Sequence, residues 1–98
     1  MTCLPETASQ RCDVWLFRAR LFKSRALAAD AILEGRVRIE RAGQVQRLTR
    51  AAAPVRAGDA LVFTRGGEVV RICVLMLAER RGPPREARAL YEAADAAG

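Results

Sequence analysis

Apolar residues change period three times along this chain, and each change marks an element. Cys12, Trp15, Leu16 and Ala19 recur at i, i+3, i+4 and i+7, the spacing of one helix face. Leu21 and Phe22 continue the apolar character and close that helix onto its neighbour. Ser24 stands as an N-cap before Arg25 to Glu34, an Ala/Leu-rich run free of Gly and Pro. Gly35 occupies the position of a C′ glycine. Two helices joined by a tight turn at Lys23-Ser24 are therefore expected.

Beyond Gly35 the period becomes two. Val37 and Ile39 alternate with Arg36, Arg38 and Glu40 as in a half-buried strand. Ala42-Gly43 reads as a turn, and Val45 and Leu48 as part of a further short strand. Residues 51–54 read as loop, and Ala57-Gly58-Asp59 as a turn ahead of Leu61-Val62-Phe63. Arg65-Gly66-Gly67 marks a hairpin turn. In the return strand, Val69 to Leu77, one face carries Val70, Ile72, Val74 and Met76. Arg80-Arg81-Gly82-Pro83-Pro84 ends the sheet. A last helix is expected, with Ala87, Leu90, Tyr91 and Ala94 on its apolar stripe. The order predicts an α+β fold: two N-terminal helices on a small antiparallel sheet, plus a C-terminal helix. The chain divides into a leader at 1–10, a domain at 11–78, and an Arg/Pro turn with helix at 79–98.

Charge turns this fold toward a function class. Of the 98 residues, 17 are basic and 11 acidic, for a net charge of +6, and the pI is near 10.5. Every base except Lys23 is arginine, whose planar fork of donors pairs with phosphate and stacks on bases. A basic domain of this kind carries the electrostatic footprint of a nucleic-acid binder. An ordinary solvated surface is the plain alternative.

Catalysis finds no foothold. There is no His, so neither a Ser-His nor a Cys-His pair can be built. Gly66-Gly67 is too short to cradle phosphates in the manner of a Walker loop. Asp13, Asp30, Asp59 and Glu79 are scattered, and Asp13 reads as a first-turn acid facing a helix N-terminus, paired with an Arg. Cys3, Cys12 and Cys73 lack the spacing of a zinc or redox site, and Cys12 and Cys73 read as small core hydrophobes. No metal and no cofactor are expected. No signal-peptide run or membrane span is visible, so a cytoplasmic protein without membrane contact is expected.

Positive charge gathers between Arg11 and Arg38. That stretch holds Arg11, Arg18, Arg20, Lys23, Arg25, Arg36 and Arg38 against Asp13, Asp30 and Glu34. At the helix–helix turn, Lys23, Ser24 and Arg25 can join backbone N–H groups in gripping one phosphate. Arg36 and Arg38 project from the polar face of the first long strand. Trp15, whose neighbours at helical spacing are apolar, belongs to the core.

At these residues the chain resembles the ribosomal-protein-S-four-type RNA-binding domain, also called the alpha-L motif. Arg11-Cys12-Asp13-Val14-Trp15-Leu16 is similar to that family's opening, with Cys12 in place of the usual Leu. Lys23-Ser24-Arg25 matches its basic residue, Ser/Thr and Arg. Gly35-Arg36-Val37-Arg38-Ile39 is similar to its Gly-x-Val-x-Val strand, and Val55 to Leu61 to its Val-x-x-Gly-Asp-x-Leu strand entry. Residues 40–54 depart from the family by their length and by lacking its Lys-Pro. The tail from Glu79 through Leu90-Tyr91-Glu92 resembles the small bacterial heat-shock protein fifteen branch.

The resemblance implies RNA contacts through Arg11, Arg20, Lys23, Ser24, Arg25 and Arg38. For that branch it implies binding to free large ribosomal subunits that still carry a tRNA-linked nascent chain, and help in recycling them. The expected partners are then structured RNA, large-subunit ribosomal RNA first and tRNA second, met by a monomer. Two other readings stay open. One is a DNA-binding regulator of helix-turn-helix type, and the other a basic protein-interaction adaptor.

Overall fold

In a computed structural model, described over residues 8–93, two short helices pack on an antiparallel sheet. Helix α1 spans Cys12–Arg18 and α2 spans Arg25–Leu33. Strands β2 (Val37–Arg41), β3 (Gln44–Arg47), β5 (Ala60–Arg65), β6 (Glu68–Val74) and β7 (Tyr91–Ala93) form one sheet in the order β3-β2-β5-β6-β7. A separate two-residue pair joins β1 (Gln10–Arg11) to β4 (Pro54–Val55). Helix α3 (Pro84–Arg88) precedes β7. The α+β architecture expected from the sequence is the one observed.

Local chemistry explains most boundaries. The Ser24 backbone is extended, and its hydroxyl accepts the Leu27 N–H at 3.0 Å, starting α2. At the other end Gly35 takes φ +79°, and the N–H groups of Gly35 and Arg36 turn back to the carbonyls of Ile32 and Ala31. Helix α1 has no side-chain cap. Its first N–H groups go instead to the loop before β4, Cys12 to the Ala53 carbonyl at 2.8 Å and Asp13 to that of Ala51 at 3.2 Å. The β2–β3 turn at Ala42-Gly43 has positive φ at both residues, which matches the twist of the strands it joins.

The core lies between the helical pair and the inner face of the sheet. Trp15, Leu16, Ile32, Val37, Leu61 and Phe63 are almost wholly buried. The Trp15 indole N–H donates to the Met76 carbonyl at 3.0 Å, and its ring meets Tyr91 edge-on with centroids 6.4 Å apart. Phe22 packs at a tilt on Phe63, 5.5 Å between centroids.

Four expectations change in detail. The last helix is a single turn, and Leu90 and Tyr91 leave it. The carbonyl of Leu90 accepts the N–H groups of Leu75 and Met76, and the chain then pairs with β6 as β7. The open edge of β6 outweighs a helical period that Pro83-Pro84 starts and a five-residue helix cannot sustain. Ala94 lies outside the described residues, as does most of the expected leader. Within that leader, Gln10 already joins β1 and brackets Ala78 with two hydrogen bonds. Strand β6 ends at Val74, so Met76 does not continue the buried face and is 47% exposed. Cys12 is buried as expected, whereas Cys73 sits opposite Ala60 on the outer face and is only half-buried.

Gly35 supplies a test of the α2–β2 junction. A Cβ there would lie 3.2 Å from Arg47 Cδ, at a φ that side chains rarely adopt. Gly35→Ala is expected to lower stability by about 1–2 kcal/mol, read as a reduced urea midpoint with an unchanged m-value.

Candidate nucleic-acid interface

A buried carboxylate lies at the centre of the basic surface. Asp13 is 3% exposed, in the first turn of α1. Its Oδ1 accepts the Val14 N–H at 2.8 Å and Arg11 Nε at 3.1 Å. Its Oδ2 accepts Arg11 Nη2 at 3.0 Å and stands 3.8 Å from Arg25 Nη2. One anion thus draws two half-exposed guanidiniums together, one from the start of α1 and one from the start of α2. Each guanidinium carries five N–H donors, and Asp13 engages only part of them. The remaining donors face solvent.

Lys23 and Ser24 continue the surface from Arg25. Lys23 is exposed and makes no ion pair among the described residues. Ser24 is committed to its cap, and its carbonyl takes the Ala28 N–H. The N–H groups of Arg25 and Ala26, in the first turn of α2, have no helical acceptor and remain available to an anion. Arg20 lies just before them at φ +62°, with its Nε donating to the Gly82 carbonyl at 2.7 Å.

Other bases named from the sequence go elsewhere. Arg18 turns toward the opposite side of α1, where its Nη1 donates to the Ala78 carbonyl at 2.7 Å. There it borders an apolar groove of about 860 Å³ with Leu75, Met76 and Arg56. Arg36 is paired with Glu34 at 2.7 Å. Arg38 does face outward from β2, next to a base outside the predicted set. In the β2–β3 register Arg38 stands directly opposite Arg47, and both are exposed without an ion-pair partner among the described residues. Like charges held directly across a ladder oppose each other, so an anion bound between them is stabilised by both. Arg38 also opposes Val62, and Val62 opposes Arg71, which extends the row across four strands. Arg71 is held by Glu40 at 2.6 Å. That hydrogen bond pulls the Glu40 carboxyl below its ordinary range and raises Arg71.

A second buried acid braces the sheet from behind this row. Asp59 is 3% exposed, and accepts Arg41 Nε and Nη2 at 2.9 and 2.7 Å and the Arg56 N–H at 2.8 Å. The same contact raises the Arg41 guanidinium. The thiol of Cys12 serves packing, since burial pushes it up to about 12 and keeps it neutral.

No protein-family model matches the chain. It is 36% identical over 92 residues to the heat shock protein 15 homolog of Aeromonas salmonicida, covering 93% of this chain and 66% of that protein. With heat shock protein 15 of Escherichia coli K12 it shares 34% over 82 residues, covering 84% of this chain and 58% of the relative. The chain thus spans roughly three fifths of the length of these curated relatives. A solved structure of Vibrio cholerae heat shock protein 15, described as trimeric, superposes with a TM-score of 0.79 at 26% identity. That match covers 91% of this chain and 85% of the other.

The Asp13 arrangement has a measurable cost of removal. Asp13→Ala strips the Val14 N–H and the Arg11 guanidinium of their acceptor, and Arg25 of its ion-pair partner. Because Arg11 and Arg25 are half-exposed and can rehydrate, stability is expected to fall by about 1–3 kcal/mol, checked by chemical denaturation at neutral pH.

Proposed function

We propose, for a chain homologous to the heat shock protein 15 proteins over most of its length, a non-catalytic role in binding RNA. Its target in this reading is structured ribosomal RNA of the large subunit. Binding helps recycle stalled subunits that carry a nascent chain, with their tRNA as a second partner. The relatives' names supply the context of a stress response, and the place of action is the cytoplasm. Among the described residues no helix is long and apolar enough to cross a membrane.

The observation that carries the reading is the Arg11–Asp13–Arg25 triad beside Lys23 and the capped start of α2. It is preorganised: the guanidiniums are placed by a buried anion before any ligand arrives, so little side-chain freedom remains to be given up on binding. Backbone N–H groups, the helix dipole and three cations then act on one phosphate. Arg38 and Arg47 offer a second phosphate position on the sheet. Because all of these come from one chain, a monomer suffices for binding, although the Vibrio cholerae protein is trimeric.

The exposed face of α2 supports RNA over DNA as the target. A major-groove reader needs polar base-reading side chains on an exposed helix. Beyond Arg25 at its start, which Asp13 draws toward α1, helix α2 exposes Ala26, Leu27, Asp30 and Leu33, with Glu34 beyond its end, and the two acids repel a duplex backbone. A compact cationic turn instead suits the irregular backbones and shallow minor groove of folded RNA.

Affinity for a large-subunit RNA fragment, measured against salt, tests the patch. Arg25→Ala is expected to flatten the log–log slope by about 0.7–0.9 for each phosphate it no longer engages. Arg88→Ala, on α3, is expected to leave the slope unchanged, and equal effects of the two would remove the patch from the account. Competition at near-physiological salt tests the target. Matched-length duplex DNA is expected to compete worse than the RNA fragment. Equal competition transfers the assignment to a DNA regulator, and binding to neither transfers it to a protein adaptor.

A further inference from the structure

Four cations converge on one hollow from three separate stretches of chain, and none of them has an acidic partner among the described residues. Arg20 and Lys23 come from the turn between the helices. Arg65 comes from the end of β5, and Arg81 from the segment after β6. The space they rim measures about 230 Å³, and its walls are apolar: Leu21, Phe22 and Leu27.

Two of the four are fixed in advance. Arg20 keeps a left-handed backbone, rare for a residue with a side chain, and its Nε is tied to the Gly82 carbonyl at 2.7 Å. Arg81 Nε donates to the Phe17 carbonyl at 3.1 Å while its guanidinium lies 4.6 Å over the Phe17 ring. The side chains of Lys23 and Arg65 make no hydrogen bond or ion pair among the described residues and are free to close on a ligand. Leu27 is 49% exposed, an apolar side chain on a helix surface at the edge of a cationic ring.

These features ask for one kind of ligand. Gathered like charges are stabilised by an anion. An apolar floor within them is stabilised by a flat, weakly hydrated group. The hollow is smaller than the clefts that enclose drug-sized ligands, so it suits one ring system and not a peptide segment. We propose that it receives a single unstacked nucleotide of RNA, with the base against Phe22 and Leu27 and the flanking phosphates between Lys23 and Arg65. The inference rests on the RNA-binding reading above and adds to it a preference for unpaired nucleotides.

The experiment compares two RNA hairpins of equal phosphate count with the full chain. One carries a single bulged adenosine, and the other an abasic residue at the same position. Wild type is expected to bind the base-bearing hairpin at least about fivefold more tightly, the scale of one stacked base. Leu27→Ser, on an exposed position, is expected to abolish that difference and leave affinity for the abasic hairpin within about twofold. Arg65→Ala is expected to weaken both complexes and flatten the salt slope by about 0.7–0.9. Equal affinity of wild type for the two hairpins, or a preference that survives Leu27→Ser, overturns the nucleotide site and leaves RNA binding standing. Failure of wild type to bind either hairpin, or any large-subunit RNA, overturns both readings.

Discussion

The fold depends on where Trp15 puts its two ends. The ring fills the space between α1 and the sheet, and the indole N–H ties α1 to the backbone at Met76. A buried Trp without an acceptor leaves a costly unpaired donor. The segment following β6 therefore has to run alongside α1, and it is fastened there again by Gln10 and Arg18 at Ala78. With that segment placed, Gly82 and Arg81 reach the turn between the helices. The basic turn thus takes its shape from partners more than sixty residues away in sequence.

An arginine-rich chain must also keep its cations from scattering. This one uses two buried acids. Asp13 and Asp59 each accept a backbone N–H and at least one guanidinium, so each ties down nearby backbone and orients a charge at once. A carboxylate within a basic surface looks like a liability on charge alone. Here one carboxylate faces two guanidiniums, so the group as a whole stays cationic.

Legibility in the sequence follows the range of the interaction. The Ser24 cap, the Gly35 stop and the Ala42-Gly43 and Gly66-Gly67 turns are local events, and each stands where its residues indicate. Leu90 and Tyr91 mislead because their helical spacing competes with a strand edge that the sequence does not display as such. Arg18 shares a helix with the basic turn, and only the tertiary position of Ala78 shows that it points away. Asp59 looks like a scattered acid because its partner Arg41 lies 18 residues upstream. Arg47 is different: once Ala42-Gly43 is taken as a two-residue turn, counting back along both strands puts it opposite Arg38. That signal is local and present in the sequence, although the absent Lys-Pro makes the segment look unlike an RNA-binding one.

Among the described residues the sheet closes one of its sides with β7 and leaves the other bare. Strand β3 pairs there only with β2, and all four of its residues are exposed, including Val45. A bare strand of this sort can template pairing with another chain, and natural proteins blunt such edges with charge. Arg47, the last residue of β3, places a guanidinium without an ion-pair partner among the described residues at one end of this short ladder, while Arg41 at the other end is held by Asp59. A cation at the end of an exposed strand works against a second chain pairing there, so a residue placed to meet an anion also blunts the bare edge.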